Sequence, residues 1–162
     1  MLMAPEMKIL SEKKLIGKRI KMSFSDNRTG ELWRSFVPRK KEIKNNISSE
    51  LYSIEVYDPE FFSNFDPVKT FEKWAAIEVT DFNEIPGGME SIIFPDGLYA
   101  VFIHKGPASE GPKTYSYIFE TWLPASDFIV DSRPHFAVMG EKYKNNDPDS
   151  EEEIWIPIKN KK

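Results

Sequence analysis

Glu153 stands two residues before Trp155 and four before Pro157 in the segment Glu152-Glu-Ile-Trp-Ile-Pro-Ile158. Side chains of an extended strand alternate between its faces. Glu153, Trp155 and Pro157 therefore share one face, and Ile154, Ile156 and Ile158 share the other. A carboxylate held among aromatic rings loses hydration, at a cost of several kcal/mol unless a positive partner or hydrogen bonds compensate. A ligand cation supplies that compensation, and aromatic faces add cation–π attraction. The plainer account of Glu151-Glu152-Glu153 is a solvated acidic run at a strand edge, and residue types alone favour it. Glu152 takes the place of Glu153 if the register shifts by one.

Other aromatics bear on the same chemistry. Trp122 recurs at helical spacing with Tyr115, Ile118 and Phe119, which fits a groove wall and a core stripe about equally. Tyr52, Trp74 and Tyr99 fall in strand-like segments, where each is more readily core than contact. A buried tyrosine hydroxyl still needs a polar partner, and a polar groove provides one.

Several alternative chemistries fail on spacing. The stretch Gly106-Pro-Ala-Ser-Glu-Gly111-Pro-Lys113-Thr114 nearly spells a phosphate-binding loop. It carries one residue too many before the lysine, and Pro112 lacks the N–H that such a cradle uses. Asp147-Pro-Asp149-Ser-Glu151 departs from a calcium loop, because Glu152 replaces the required glycine and Ile158 occupies the twelfth position. His104 and His135 have no ligand-like spacing, so neither a metal nor a cofactor is expected. No Gly-x-Ser-x-Gly elbow is present. Arg39-Lys-Lys41 with Lys44 reads as the solvated end of a helix.

The elements that would hold these residues follow from periodicity. Strands are predicted over 14–24, 51–57, 74–80, 98–104, 135–143 and 152–158. One helix opens at Thr29 and Gly30, sets Leu32, Trp33 and Phe36 on one face, and is kinked or ended by Pro38. A second begins at Pro112, carries Tyr115, Ile118, Phe119, Trp122 and Leu123, and stops at Pro124. An acidic loop, 145–151, separates the last two strands. The order is strand–helix–strand–strand twice, over 14–80 and 97–158, with a connector at 81–96 and a lead-in at 1–13. Neither unit buries its sheet face alone. The expectation is one α+β domain over 14–162: a curved, mainly antiparallel sheet with two long helices.

Composition bounds the function. The chain has 162 residues, enough for one sizeable core, and carries a net charge of −4, the opposite of a usual nucleic-acid binder. It has no cysteine, which removes disulfides and thiolate chemistry and fits a cytoplasmic protein. No apolar run reaches the ~20 residues of a membrane span, and the N-terminus has no signal-peptide pattern. Aromatics reach 14%, with four tryptophans, more than a core alone asks for.

Four segments, in order, resemble GyrI-like and AraC-type effector-binding domains: Gly97-Leu-Tyr-Ala-Val-Phe-Ile-His-Lys-Gly106, Glu120-Thr-Trp-Leu-Pro124, Arg133-Pro-His-Phe-Ala-Val138 and Glu152-Glu-Ile-Trp-Ile-Pro-Ile158. The match is close over 97–158 and looser over 14–80. The resemblance implies a bacterial domain of tandem strand–helix–strand–strand units, with a ligand groove where they meet. It implies multidrug-type binding of hydrophobic, cationic aromatic compounds and puts the groove carboxylate at Glu153. The expected ligand-binding set is then Glu153, Trp155, Trp122, Tyr99, Tyr52 and Trp74. Thirteen lead-in residues are too few for a helix-turn-helix, so a stand-alone domain without direct nucleic-acid contact is expected. Two alternatives come with the family. One is a hydrolase of strained-ring genotoxins, with Glu153 as general base and Tyr99 or Tyr52 orienting the electrophile. The other is a protein-interaction module, such as a gyrase modulator.

Overall fold

The computed structural model describes residues 4–62, 65–144 and 147–161. Nine strands are present among them: β1 (Glu6–Leu10), β2 (Lys13–Met22), β3 (Leu51–Val56), β4 (Phe71–Val79), β5 (Glu90–Phe94), β6 (Gly97–Lys105), β7 (Phe128–Val130), β8 (His135–Met139) and β9 (Glu151–Asn160). Helix α1 (Thr29–Phe36) runs into a 3-10 segment, Val37–Glu42, where Pro38 withholds an N–H from the α pattern. Helix α2 (Gly111–Tyr117) continues through a π turn, Ile118–Trp122, into α3 (Leu123–Ala125). The helix ends at Ala125, one residue past Pro124, with Ser126 already extended. The N–H of Leu123 reaches back to the carbonyl of Ile118, and that wider register accommodates a residue with no N–H to donate.

The main path through the sheet is β1-β6-β9-β8-β3-β4-β2-β5, with β7 added on β9, and the pairings are antiparallel. The two units meet at β3 and β8, where Tyr52 faces Val138 and Ile54 faces Phe136. The fold is the expected α+β arrangement, a curved antiparallel sheet with two helices.

Two segments depart from the sequence reading. The lead-in contains β1, which pairs with β6, the first long strand of the second unit, so that Leu10 sits opposite Gly97. The connector contains β5, which pairs back on β2 of the first unit and sets Phe94 opposite Lys13. Each unit therefore lends its leading strand to the other. Leu10 and Phe94, the last residues of the exchanged strands, are both buried in the same apolar cluster. Neither strand is long enough to announce itself by periodicity, and each finds its partner far away in the chain. The predicted strand over 135–143 ends at Met139, and the predicted acidic loop 145–151 falls partly outside the described residues.

Alternation along the strands builds two faces. Helix α1 packs on β2 and β4 over Ile16, Ala75 and Ile77, joined by Leu32 and Phe36. The second helix covers Ala100, Phe102, Ile154, Ile156 and Ile158 through Ile118 and its flanking rings. The opposite, helix-free face carries Leu15, Tyr52, Ile54, Trp74, Ala76, Tyr99, Val101, Phe136 and Val138. Gly17 holds β2 close to β4: a Cβ there would lie 2.0 Å from the Ala75 carbonyl oxygen, so any side chain would push the two strands apart.

Candidate functional site

Five of the six expected ligand-binding residues converge on the helix-free face. Tyr52, Trp74 and Tyr99 are buried in its cluster, and half-buried Trp155 packs against it. Glu153, half-buried, accepts a hydrogen bond from the Trp155 indole N–H at 3.0 Å. The strand register thus sets Glu153 on the aromatic face. It pairs across to Val138 on one side and Ile103 on the other.

Trp122 lies elsewhere. It packs edge-on to Phe102 at 5.2 Å and parallel to Phe128 at 6.5 Å, within the layer between the second helix and the sheet. Phe102 and Tyr99 differ in strand parity, so they face opposite sides of the sheet. Trp122 thus packs in the helix-side stripe and does not share the face of the other five expected residues.

Two rings that sequence reasoning missed organise the aromatic face. Phe136 is its hub. Phe94 stacks on it at 4.5 Å, Trp155 at 5.2 Å, and Tyr99 and Tyr52 approach at 5.4 and 5.7 Å. Phe136 was legible as an alternating residue of the strand beginning at His135, in phase with Val138. Phe94 was not, because its strand was read as connector.

Polar groups fringe this face in an ordered way. The Tyr52 hydroxyl donates to Glu78 at 3.3 Å, and Lys13 reaches the same carboxylate at 3.1 Å. Burial, then the charges of Glu78, Glu50 and Glu153, push the Tyr52 hydroxyl far above its ordinary value, so it stays protonated and can only donate or accept hydrogen bonds. Burial pushes Tyr99 up to about 12, against the opposing influence of Arg133. The Tyr99 hydroxyl donates to the Pro134 carbonyl at 3.0 Å, and the Arg133 guanidinium stands 4.7 Å from its ring centroid. Arg133 is held tightly: it donates to the carbonyls of Leu98 and Ile158 and to Asp131, and a Cβ on Gly97 would collide with it at 2.3 Å.

A hollow of about 610 Å³ opens beside Glu153. Val138 and Ile103 line it, together with Glu50, Glu141 and Glu151, against Lys142 in the lining and Lys105, which pairs with Glu151 at 3.7 Å. With Glu153 at its edge, the lining is net acidic. A larger hollow of about 710 Å³ lies away from this face, around Glu42, Lys44, Asn45 and Asp81; neither lining includes an aromatic ring, and only the hollow beside Glu153 borders the aromatic cluster, through Val138.

The other carboxylate of the pair, Glu152, belongs to the opposite face. Burial raises its pKa, a shift partly offset by His104 and Lys73 and reinforced by Glu55. Lys73 and Glu55 themselves form a close ion pair nearby. The histidines are structural here. His104 Nε2 lies 2.9 Å from the Pro107 carbonyl and donates to it, and Nδ1 lies 2.6 Å from the Thr114 hydroxyl. His135 is buried among Tyr57, Phe62 and Phe119, where burial and then Arg133 push it down to about 3. Among the described residues no cluster of three metal-ligating side chains forms, and no helix is long and apolar enough to cross a membrane.

Two exchanged units around a shared aromatic face with an acidic margin define a small-molecule-binding architecture of the tandem α+β kind. The family described as GyrI-like small molecule binding domain matches residues 3–159, and the chain belongs to it. Among curated proteins the chain is 28% identical over 131 residues to the transcriptional regulator BrlR of Pseudomonas aeruginosa. That match takes in 80% of this chain and 46% of the regulator, so the chain spans about half the length of that relative. Among solved structures it is similar in fold to SAV2435, determined bound to tetraphenylphosphonium, with a TM-score of 0.74, 14% identity, and coverage of 97% of this chain and 94% of that one. The EcmrR C-terminal domain superposes with a TM-score of 0.70 at 17% identity, covering 99% of both chains.

Proposed function

We propose that this domain binds hydrophobic, cationic aromatic compounds on its helix-free face, against Trp155, with Glu153 as the charge partner. One observation carries the reading: the Glu153 carboxylate is bonded to the indole of Trp155, on the margin of the aromatic cluster and at the lip of an acidic hollow. A ligand ring gains apolar burial and stacking there, while its charge meets the carboxylate in a partly desolvated setting. Tyr52, Trp74 and Tyr99 form the floor beneath and set its shape. The tetraphenylphosphonium held by SAV2435, an aromatic cation on a similar fold, agrees with this class of ligand.

The net charge of −4 and the acidic margin disfavour direct contact with nucleic acid, so the small molecule is the partner this domain recognises. The reading takes the domain as a cytoplasmic, multidrug-type binder needing no cofactor.

The test is tryptophan fluorescence titration with tetraphenylphosphonium and a neutral triaryl compound, for the wild type and Glu153→Gln in parallel. The variant should bind the cation at least tenfold more weakly and the neutral compound equally well. Equal binding of the cation by both proteins removes Glu153 from the account.

A further inference from the structure

The strand hidden in the lead-in brings a charge to the aromatic face. Lys8 lies on β1 opposite Tyr99, which is itself opposite Pro157 of β9. Its ammonium stands over the Trp155 ring, 5.7 Å from the centroid. Phe136 already takes one face of that indole by stacking. No carboxylate of the described residues stands within ion-pair distance of Lys8, so the ring is its charge partner. The same ring is bonded through its N–H to Glu153.

We propose that Lys8 is a tethered cation that occupies the Trp155 site and sets the charge selectivity of ligands there. This rests on the reading of Trp155 and Glu153 as the ligand site. A cationic ligand must displace the ammonium from the ring, losing one cation–π contact to gain another, and it meets the repulsion of a like charge that cannot diffuse away. A ligand carrying an anionic group meets the opposite: Lys8 attracts it and offsets Glu153. Lys8 therefore narrows the range of cations the site accepts to those whose aromatic burial outweighs the exchange. The device needs the strand exchange, because only a β1 paired to β6 carries Lys8 across to the strand neighbouring Trp155.

The experiment uses two probes of one shape and opposite charge, tetraphenylphosphonium and tetraphenylborate, titrated into wild type, Lys8→Met, Glu153→Gln and Lys40→Met. Methionine keeps the length and the apolar stem of lysine and removes the charge. Lys40, exposed on the 3-10 segment, removes the same charge far from the ring. Lys8→Met should tighten phosphonium binding roughly two- to fivefold, the size of one exposed cation–π contact, and weaken borate binding. Lys40→Met should do neither. If Glu153→Gln weakens the phosphonium but Lys8→Met leaves it unchanged or weaker, the role of Lys8 is overturned and the Glu153 site stands. If no variant binds the phosphonium at any attainable concentration, the site reading fails and the Lys8 proposal fails with it.

Discussion

The Phe94 ring lies 4.5 Å from that of Phe136, their planes 24° apart, although Phe94 ends a strand donated by one unit and Phe136 sits at the seam between the two. This contact joins the strand exchange to the aromatic face. The stack continues from Phe136 to Trp155, so the exchanged strand β5 and the residue beside Glu153 share a single column of rings.

Phe94→Ala tests that column. Phe94 is fully buried, and a phenylalanine truncated in such a setting costs about 3–5 kcal/mol. The loss is measurable by urea unfolding. The space it leaves lies beside Phe136, so the variant should also admit bulkier aromatic ligands than the wild type. A stability change below about 1 kcal/mol would mean that β5 is not held on β2 through this ring.

Trp122→Ala and Trp155→Ala separate the two faces of the sheet. Trp122 packs on Phe102 and Phe128 under the second helix, so its loss should lower stability by on the order of 3 kcal/mol and leave ligand affinity unchanged. Trp155→Ala should also cost stability, because that ring stacks on Phe136 at 5.2 Å, but it alone should weaken ligand binding as well, measured by calorimetry. Ligand binding abolished by Trp122→Ala in a folded protein would move the site to the helix face.

Acid should destabilise the fold through His135. The buried imidazole is pushed down to about 3, whereas in the unfolded chain it titrates near 6.5. Between these values the unfolded chain binds a proton that the folded one refuses. Stability therefore falls as pH drops from about 6.5 toward 3, with a limiting slope of roughly 1.4 kcal/mol per pH unit, and above that window His135 adds no slope. His135→Phe keeps a ring against Tyr57 and Phe62 and should flatten this limb in urea unfolding across pH. Identical limbs would assign the effect to other groups.

Glu152 works in the opposite direction. Burial raises its folded pKa above the ordinary value, so the folded state holds its proton more tightly than the unfolded one. The stabilising contribution is fully present below the ordinary carboxylate range and is lost as pH rises through the raised value. Glu152→Gln should accordingly raise the melting temperature at neutral pH, and the gain should vanish below about pH 4. A melting temperature lowered at neutral pH would mean that ionised Glu152 is held by Lys73 and His104 more strongly than burial opposes it.

Period-two alternation was enough to place Glu153 and Trp155 on one side of their strand, with Ile154, Ile156 and Ile158 on the other. It also marked Tyr52, Trp74 and Tyr99 as strand aromatics, and with the two helical stripes it defined the doubled α+β order. These signals are local, written by the pleat and the helical turn into residues a few positions apart. The partners of β1 and β5 were decided only by tertiary structure, because five-residue strands carry little periodic signal and pair with segments on the far edges of the sheet. With those strands went Lys8, which stands over Trp155, and Phe94, which stacks on Phe136. The side of the sheet taken by Trp122 was also undecided locally: a helical stripe buries itself wherever the helix docks, and docking is a contest between surfaces distant in the chain.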